Sequence, residues 1–388
     1  MLNSLAIQNY RSILDLTTRL ESLNVITGAN GVGKSNLYRA LRLLAETAEG
    51  GVINALAHEG GLGSCFWAGP ETISRAMERG DVQVQGGPRQ YRVRLRLGFS
   101  SETFGYAVIF GLPKPSSSAF TFDPQINREV IWSGACYRPA SALVDRVGGI
   151  VKSRVGRRWE VVATNLTSFD SIFASIRDAR NMPEVMELRD RINGWRFYDY
   201  FRTDHDAPSR MAQLGTRTPV LHHDGRDLAA ALQTIREIGD HQALDETIAD
   251  AFPGSYVNMQ RQDDGRFTVE LRGEGLLRPL KATEFSDGTL RFLLLVAALL
   301  TPRPPSLMVL NEPETSLHPD LLPALSRLIH RVSRSTQIWV ITHTNRLVSA
   351  LNGYPGTQGI ELVKNLGRTQ IVGQRILDEP PWRWPDNM

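Results

Sequence analysis

Long apolar runs are missing from this 388-residue chain: none approaches the roughly 18 residues that a membrane-crossing helix requires, so no helical span is expected. Cysteine is scarce. Cys65 and Cys136 are the only two, which excludes a disulfide framework and fits a reducing, cytoplasmic setting. The opening stretch, MLNSLAIQNYRSIL, has neither the basic segment nor the continuous apolar core of a secretory signal. Charge of either sign is hardly in excess: 44 Lys and Arg against 41 Asp and Glu leave +3, too little to mark a nucleic-acid binder by charge alone. Heptads, repeats and low-complexity tracts are also absent, which excludes a long coiled coil or a solenoid. What is present is ample core material, 41% hydrophobic residues in a chain longer than one core usually serves.

Three patterns organise the chain. In LNVITGANGVGKSNLYRALRLL a short apolar run leads into a glycine-rich turn, and Leu37, Ala40, Leu41 and Leu44 then repeat at helical spacing. Residues 91–99, YRVRLRLGF, alternate, with Tyr91, Val93, Leu95, Leu97 and Phe99 on one face and Arg92, Arg94 and Arg96 on the other. Together with FGYAVIFGLP they predict an antiparallel sheet with one wet face. PKPSSS at 113–118 reads as a loop. The middle, about 120–275, mixes short strands (EVIWSG, RRWEVVA, GWRFYDYF) with helical stretches (DSIFASIRDAR, DLAAALQTIREIG). From Glu284 onward, helix 290–300, strand SLMVLN, a helix after Pro319 and strand IWVITH imply a parallel sheet buried on both faces, and PPWRWPDNM is expected to be an irregular tail.

GANGVGKS, residues 28–35, has what a polyphosphate needs. Its glycines let the backbone approach, its amides point into the turn, Lys34 brings a mobile positive charge and Ser35 a hydroxyl for magnesium. In LMVLNEPETSLHP an apolar strand ends in Asn311 and Glu312, at the strand end where open α/β sheets bind ligands, and Glu312 suits polarising a water. Between them Ser286, Asp287, Gly288 and Thr289 open a helix, which by itself is an ordinary N-cap. VITHTNRL ends a further strand in His343.

Taken in order, GANGVGKS, FSDGT, VLNEPETSLHP and VITHTN resemble the ABC-type ATPase heads, and most of all the RecF-like members of the RecF/SMC/OLD branch, within the AAA ATPases. SMC proteins proper would need hundreds of residues of heptads, which this chain lacks. The resemblance covers residues 1–112 and 277–375. It implies an α/β P-loop NTPase fold with a mostly parallel core sheet, an antiparallel β lobe and an α+β lid insertion. On that reading residues 1–112 are the N-terminal ATPase lobe, 113–276 the lid region, 277–375 the C-terminal lobe and 376–388 a tail. It implies ATP and Mg2+ as cofactors, with Asn30, Gly31, Gly33, Lys34, Ser35 and Asn36 around the phosphates. Arg11, in IQNYRSI, would lie close to the nucleotide, Ser35 and Asn311 would serve the metal, and Glu312 and His343 would act in hydrolysis. It also implies a homodimer formed on ATP, each copy offering Ser286–Thr289 to the other's ATP, with Ser316–His318 as the D-loop. Duplex DNA and a separate effector protein are the further partners expected.

One residue departs from the family pattern. Asn311 stands where an Asp usually precedes the glutamate, and an amide oxygen brings no negative charge to magnesium, so slow hydrolysis is expected. The Q-loop glutamine has three candidates, Gln83, Gln85 and Gln125. Arg92, Arg94 and Arg96, with Lys152, Arg154, Arg157 and Arg158, suit either a solvated sheet face or a phosphate-binding surface. LHHDG at 221–225 lacks the ligands for a metal site. Trp195, Phe197, Tyr198, Tyr200 and Phe201 suit a core better than base stacking.

Overall fold

The computed structural model describes residues 1–87, 92–114 and 117–385. Strands run in chain order β1 (Leu2–Tyr10), β2 (Ile13–Arg19), β3 (Leu23–Thr27), β4 (Leu95–Ser101), β5 (Phe104–Gly111), β6 (Gln125–Ser133), β7 (Ala142–Val147), β8 (Ile150–Val155) and β9 (Arg158–Ala163). They continue as β10 (Arg196–Tyr198), β11 (Gln213–Leu214), β12 (Tyr256–Arg261), β13 (Arg266–Arg272), β14 (Leu280–Lys281), β15 (Leu307–Asn311), β16 (Gln337–Ile341), β17 (Thr357–Asn365) and β18 (Arg368–Ile371). Two compact units result. The first holds residues 1–21, 28–195 and 360–388, and the second holds 22–27 and 196–359.

In the first unit an eight-stranded sheet runs in the order β2-β1-β4-β5-β6-β7-β8-β9, antiparallel throughout. From Leu95, where β4 begins, Leu95, Leu97 and Phe99 are buried and Arg96 is half-buried, but Gly98 and Ser100 on the opposite face are buried as well, as are both faces of β5, so the expected wet face is covered there. Arg92–Arg94 precede the strand, and Tyr91 lies outside the described residues. Helix Lys34–Glu49 lays Leu37, Ala40, Leu41 and Leu44 inward, against β1 and β4, and ends where Gly50 takes up a left-handed conformation and its N–H donates to Glu46. DSIFASIRDAR forms only one helical turn, Ile172–Ser175: the Asp178 carboxylate accepts from the Arg180 and Asn181 N–H groups, an Asx turn that competes with the helix.

The predicted tail is irregular but docked. Trp382 packs edge-on against Trp132 (centroids 5.6 Å apart) and against Trp384 (5.2 Å), and Arg128 donates to the Pro385 carbonyl at 3.0 Å. Trp382→Ala is therefore expected to destabilise this unit by about 2 kcal/mol, read by urea unfolding. A change below about 0.5 kcal/mol, the size of an ordinary surface substitution, would mean that the ring contributes no packing.

In the second unit four parallel strands run β10-β15-β16-β3. β15 (LMVLN), β16 (QIWVI) and β3 (LNVIT) are nearly continuous apolar runs because both faces are covered, which is why periodicity reads them as parallel-sheet strands. Residues 196–201 of GWRFYDYF supply the edge: β10 pairs with β15, while Tyr198 and Phe201 are buried and Tyr200 is exposed. Helices Leu228–Ile238, Asp287–Leu299 and Leu322–Ser333 share a core with these strands. A small antiparallel sheet, β11, β13, β12 and β14, completes this unit.

Candidate functional site

The register of the parallel strands sets the site. Ile26, Ile341 and Asn311 occupy one rung across β3, β16 and β15, so these strands release their chains at the same edge. The Thr342 N–H donates to the Ile26 carbonyl (3.1 Å) and the Glu312 N–H to the Ile341 carbonyl (2.8 Å), extending the ladder by one bond on each side. The chain leaving β3 enters GANGVGKS directly. The chain leaving β15 becomes Glu312, and that leaving β16 becomes His343.

In the first unit, residues 28–35 form a turn closed around Lys34, whose Nζ donates to the carbonyls of Gly28 (2.5 Å) and Ala29 (3.1 Å). Those carbonyls are bonds a bound phosphate can replace. Gly33 has φ 113°, and a Cβ there would fall 2.2 Å from the Thr369 hydroxyl, so only glycine fits. Thr369 donates to the Val32 carbonyl (2.7 Å) and shares a 2.6 Å hydrogen bond with Ser12, which accepts from Asn36 Nδ2 at 2.7 Å. Asn30, Gly31 and Ser35 are exposed at the mouth of the turn. The first helical N–H groups behind them are unpaired by the helix itself, a cradle for anionic oxygens.

Arg11, next to Ser12, turns its guanidinium to Glu59 (2.9 Å), which also accepts from the Tyr10 hydroxyl at 2.6 Å. Burial and then this carboxylate push the neighbouring Cys65 thiol up to about 12, so it is an inert packed thiol. Gln83 and Gln85 lie on exposed irregular chain, and Gln125 opens β6.

In the second unit, Glu312 adopts φ 46°, a strained left-handed conformation for a side-chain-bearing residue. It is held there by its ladder N–H and by Arg291, whose guanidinium donates to the Glu312 carbonyl at 2.9 Å. Burial draws the Arg291 pKa below its ordinary value, opposed by Tyr200, Glu314 and Glu312. His343 Nδ1 lies 3.6 Å from Glu312 Oε1 and 3.5 Å from Glu314 Oε1. Ser286 caps helix Asp287–Leu299, accepting from the Thr289 N–H at 3.1 Å, and Asp287 pairs with Arg210 at 2.8 Å. A Cβ on Gly288 would stand 2.7 Å from the Ser316 carbonyl, so FSDGT and the Ser316–His318 loop pack closely.

Residues 23–349 match the sequence profile of the family described as "AAA domain, putative AbiEii toxin, Type IV TA system". The chain belongs to this AAA family. No curated protein matches it. Among solved structures, it resembles an SMC head bound to the C-terminal winged-helix domain of ScpA, at 12% identity over 97% of this chain and 98% of that one, with a TM-score of 0.51. An SMC head from Thermotoga maritima shares 14% identity over 97% and 99%, TM-score 0.46. One from Pyrococcus furiosus with an extended coiled coil, bound to the C-terminal domain of ScpA, shares 12% over 96% and 95%, TM-score 0.48. The fold of the AAA protein is that of an SMC-type P-loop ATPase head, within the wider ABC-type class that its four motifs resemble.

The AAA protein contains polar residues at these loops that its motifs do not announce. Arg210 is buried and donates to the carbonyls of Thr203, Asp204, Ala282 and Phe285 as well as to Asp287, bracing the start of the FSDGT helix. Ser12, Thr369, Arg291 and Glu314 are the others. A cation beside Phe and Leu in an apolar helix is the one signal that could have pointed to Arg291. In the LHHDG turn His222, His223 and Asp224 bring their ligand atoms within 4.8 Å of one another, and His222 is engaged by Asp224 (2.7 Å) and by the Arg226 guanidinium (2.9 Å). The two basic clusters are separate: β4 and β8 stand four positions apart in the sheet, about 19 Å at normal strand spacing.

Among the described residues no helix is long and apolar enough to cross a membrane.

Proposed function

We propose that this AAA protein binds ATP with Mg2+, hydrolyses it slowly, and pairs with a second copy when ATP is bound. The observation that carries this reading is the shared rung of Ile26, Ile341 and Asn311, from which the phosphate-type loop, Glu312 and His343 all depart. Lys34 and the amides of residues 28–35 hold phosphate oxygens, with Asn30, Gly31, Gly33 and Asn36 shaping the loop and Arg11 flanking it. Ser35 and Asn311 hold the metal, which when bound neutralises charge on the phosphates. Glu312 orients the water, and His343 contacts the terminal phosphate. Ser286–Thr289 of one copy face the ATP of the other, as exposed helix N-terminal amides suit. The cellular task is DNA-linked, in repair or in defence against foreign DNA. That assignment rests on the resemblance to RecF-like heads.

Asn311 favours a second reading, a nucleotide-gated switch that dimerises on ATP and hydrolyses little. One experiment separates them: molar mass in solution and steady-state phosphate release, both with ATP and Mg2+, with and without duplex DNA. Doubled mass with measurable release supports the ATPase. Doubled mass with release at background supports the switch, and unchanged mass removes the dimer from both. Lack of stimulation by DNA counts against the DNA-linked task. Asn311→Asp is expected to tighten the Mg2+ requirement by about 10- to 100-fold, since outer-sphere partners of a metal act on that scale. An unchanged Mg2+ dependence would show that residue 311 does not serve the metal.

A further inference from the structure

Glu314 stands two residues beyond Glu312, and the motif reading leaves it without a task. Its side chain is 5% exposed, and a carboxylate so buried needs donors. Oε1 finds them on three consecutive residues leaving β16: the Thr342 hydroxyl (2.5 Å), the His343 N–H (3.3 Å) and the Thr344 hydroxyl (3.1 Å). The Thr344 N–H donates in turn to Thr342 Oγ1 at 3.1 Å, closing the turn around the carboxylate. Oε2 is buried without a hydrogen-bond partner among the described residues. A buried carboxyl group with one oxygen unpartnered is costly to maintain, and what it secures is the conformation of residues 342–344.

That conformation sets where His343 points. The ring is half exposed, with 54% of the side chain open to solvent, so packing alone does not hold it. Its backbone N–H is bonded to Glu314, and Nδ1 sits between the two carboxylates, 3.5 Å from Glu314 and 3.6 Å from Glu312. We propose that Glu314 is a positioning residue: its carboxylate locks the Thr342–Thr344 turn so that His343 faces Glu312. Glu314 itself touches no reacting atom. A glutamine would replace Oε2 by a buried, unpaired N–H2 group.

The consequence for rate rests on the ATPase reading, whereas the placement of His343 does not. The test uses the full chain labelled with 13Cε1-histidine, the His343 signal being identified by its loss in His343→Ala. Glu314→Ala is expected to shift and broaden the His343 signal and leave the remaining histidines in place, with Glu314→Gln intermediate. In phosphate release, Glu314→Ala is expected to lower kcat about tenfold or more, with KM for ATP held within about threefold. Glu314→Ala/His343→Ala should be no slower than His343→Ala alone. A His343 signal unmoved in Glu314→Ala, or single-variant losses that multiply in the double variant, overturns the proposal. Should Glu314→Ala not fold, Glu314→Gln carries the same comparisons. If wild-type release equals that of Glu312→Gln, the ATPase reading fails and the His343 signal alone decides this one.

Discussion

Glu312→Gln is expected to lower steady-state phosphate release at saturating ATP by about 10²-fold or more, the range for losing a positioned general base. The substitution is nearly isosteric. The backbone of Glu312 is pinned from two sides, by its N–H to the Ile341 carbonyl at 2.8 Å and by Arg291 to its own carbonyl at 2.9 Å. The glutamine is therefore held in the same left-handed conformation, while one carboxyl oxygen becomes an N–H2 group and the ability to take a proton is lost. Binding of a fluorescent ATP analogue should stay within about threefold of wild type, because phosphate affinity in this reading belongs to residues 28–36. Hydrolysis as the output is lost if wild type and variant release phosphate at the same rate.

Arg146→Ala is expected to be the most destabilising single change in the first unit, by about 3–5 kcal/mol, the cost of leaving one partner of a buried ion pair behind. Arg146 and Glu129 are both fully buried and meet at 2.6 Å. The guanidinium also donates to the carbonyls of Gly148 (2.8 Å), Thr167 (2.7 Å) and Asp170, while Glu129 accepts from the Tyr106 hydroxyl (2.7 Å), the Ser171 hydroxyl (2.7 Å) and the Ile172 N–H (3.0 Å). The pair thus ties residues 167–172 to the middle of the antiparallel sheet. Removing Arg146 strands a carboxylate among apolar strands. Replacing both partners, as in Arg146→Met/Glu129→Leu, should recover part of the loss. Urea unfolding followed by tryptophan fluorescence reads both, and a loss below about 1 kcal/mol for Arg146→Ala would show that water or a rearrangement satisfies Glu129.

The strands that deliver the candidate site were legible because each is a short apolar run bounded by a turn. LNVIT, LMVLN and QIWVI are buried on both faces and need no alternation. Leu95, Leu97 and Phe99 were legible from alternation, but the wet face it predicted is covered at Gly98, Ser100 and along β5, which no local pattern announces. GWRFYDYF looked like one more strand of the middle region, yet it forms the edge next to β15, a pairing across more than 100 residues that no local pattern encodes. The interleaving of the two units, with residues 22–27 built into the second, is equally silent in the sequence.

By itself the sequence determined the strands and helices that carry the four motifs, the presence of a phosphate-type turn, and a motif order that resembles ABC-type ATPase heads of the RecF-like branch. These are local properties, written in spacing, apolar runs and glycine. Only the tertiary structure decided that Glu314 binds the turn carrying His343, that Arg291 holds the backbone of Glu312, and that Thr369 closes the turn begun at Gly28. Each is a polar group whose partner lies some 20 to 340 residues away, and a hydrogen bond between such groups exists only once the strands between them have paired.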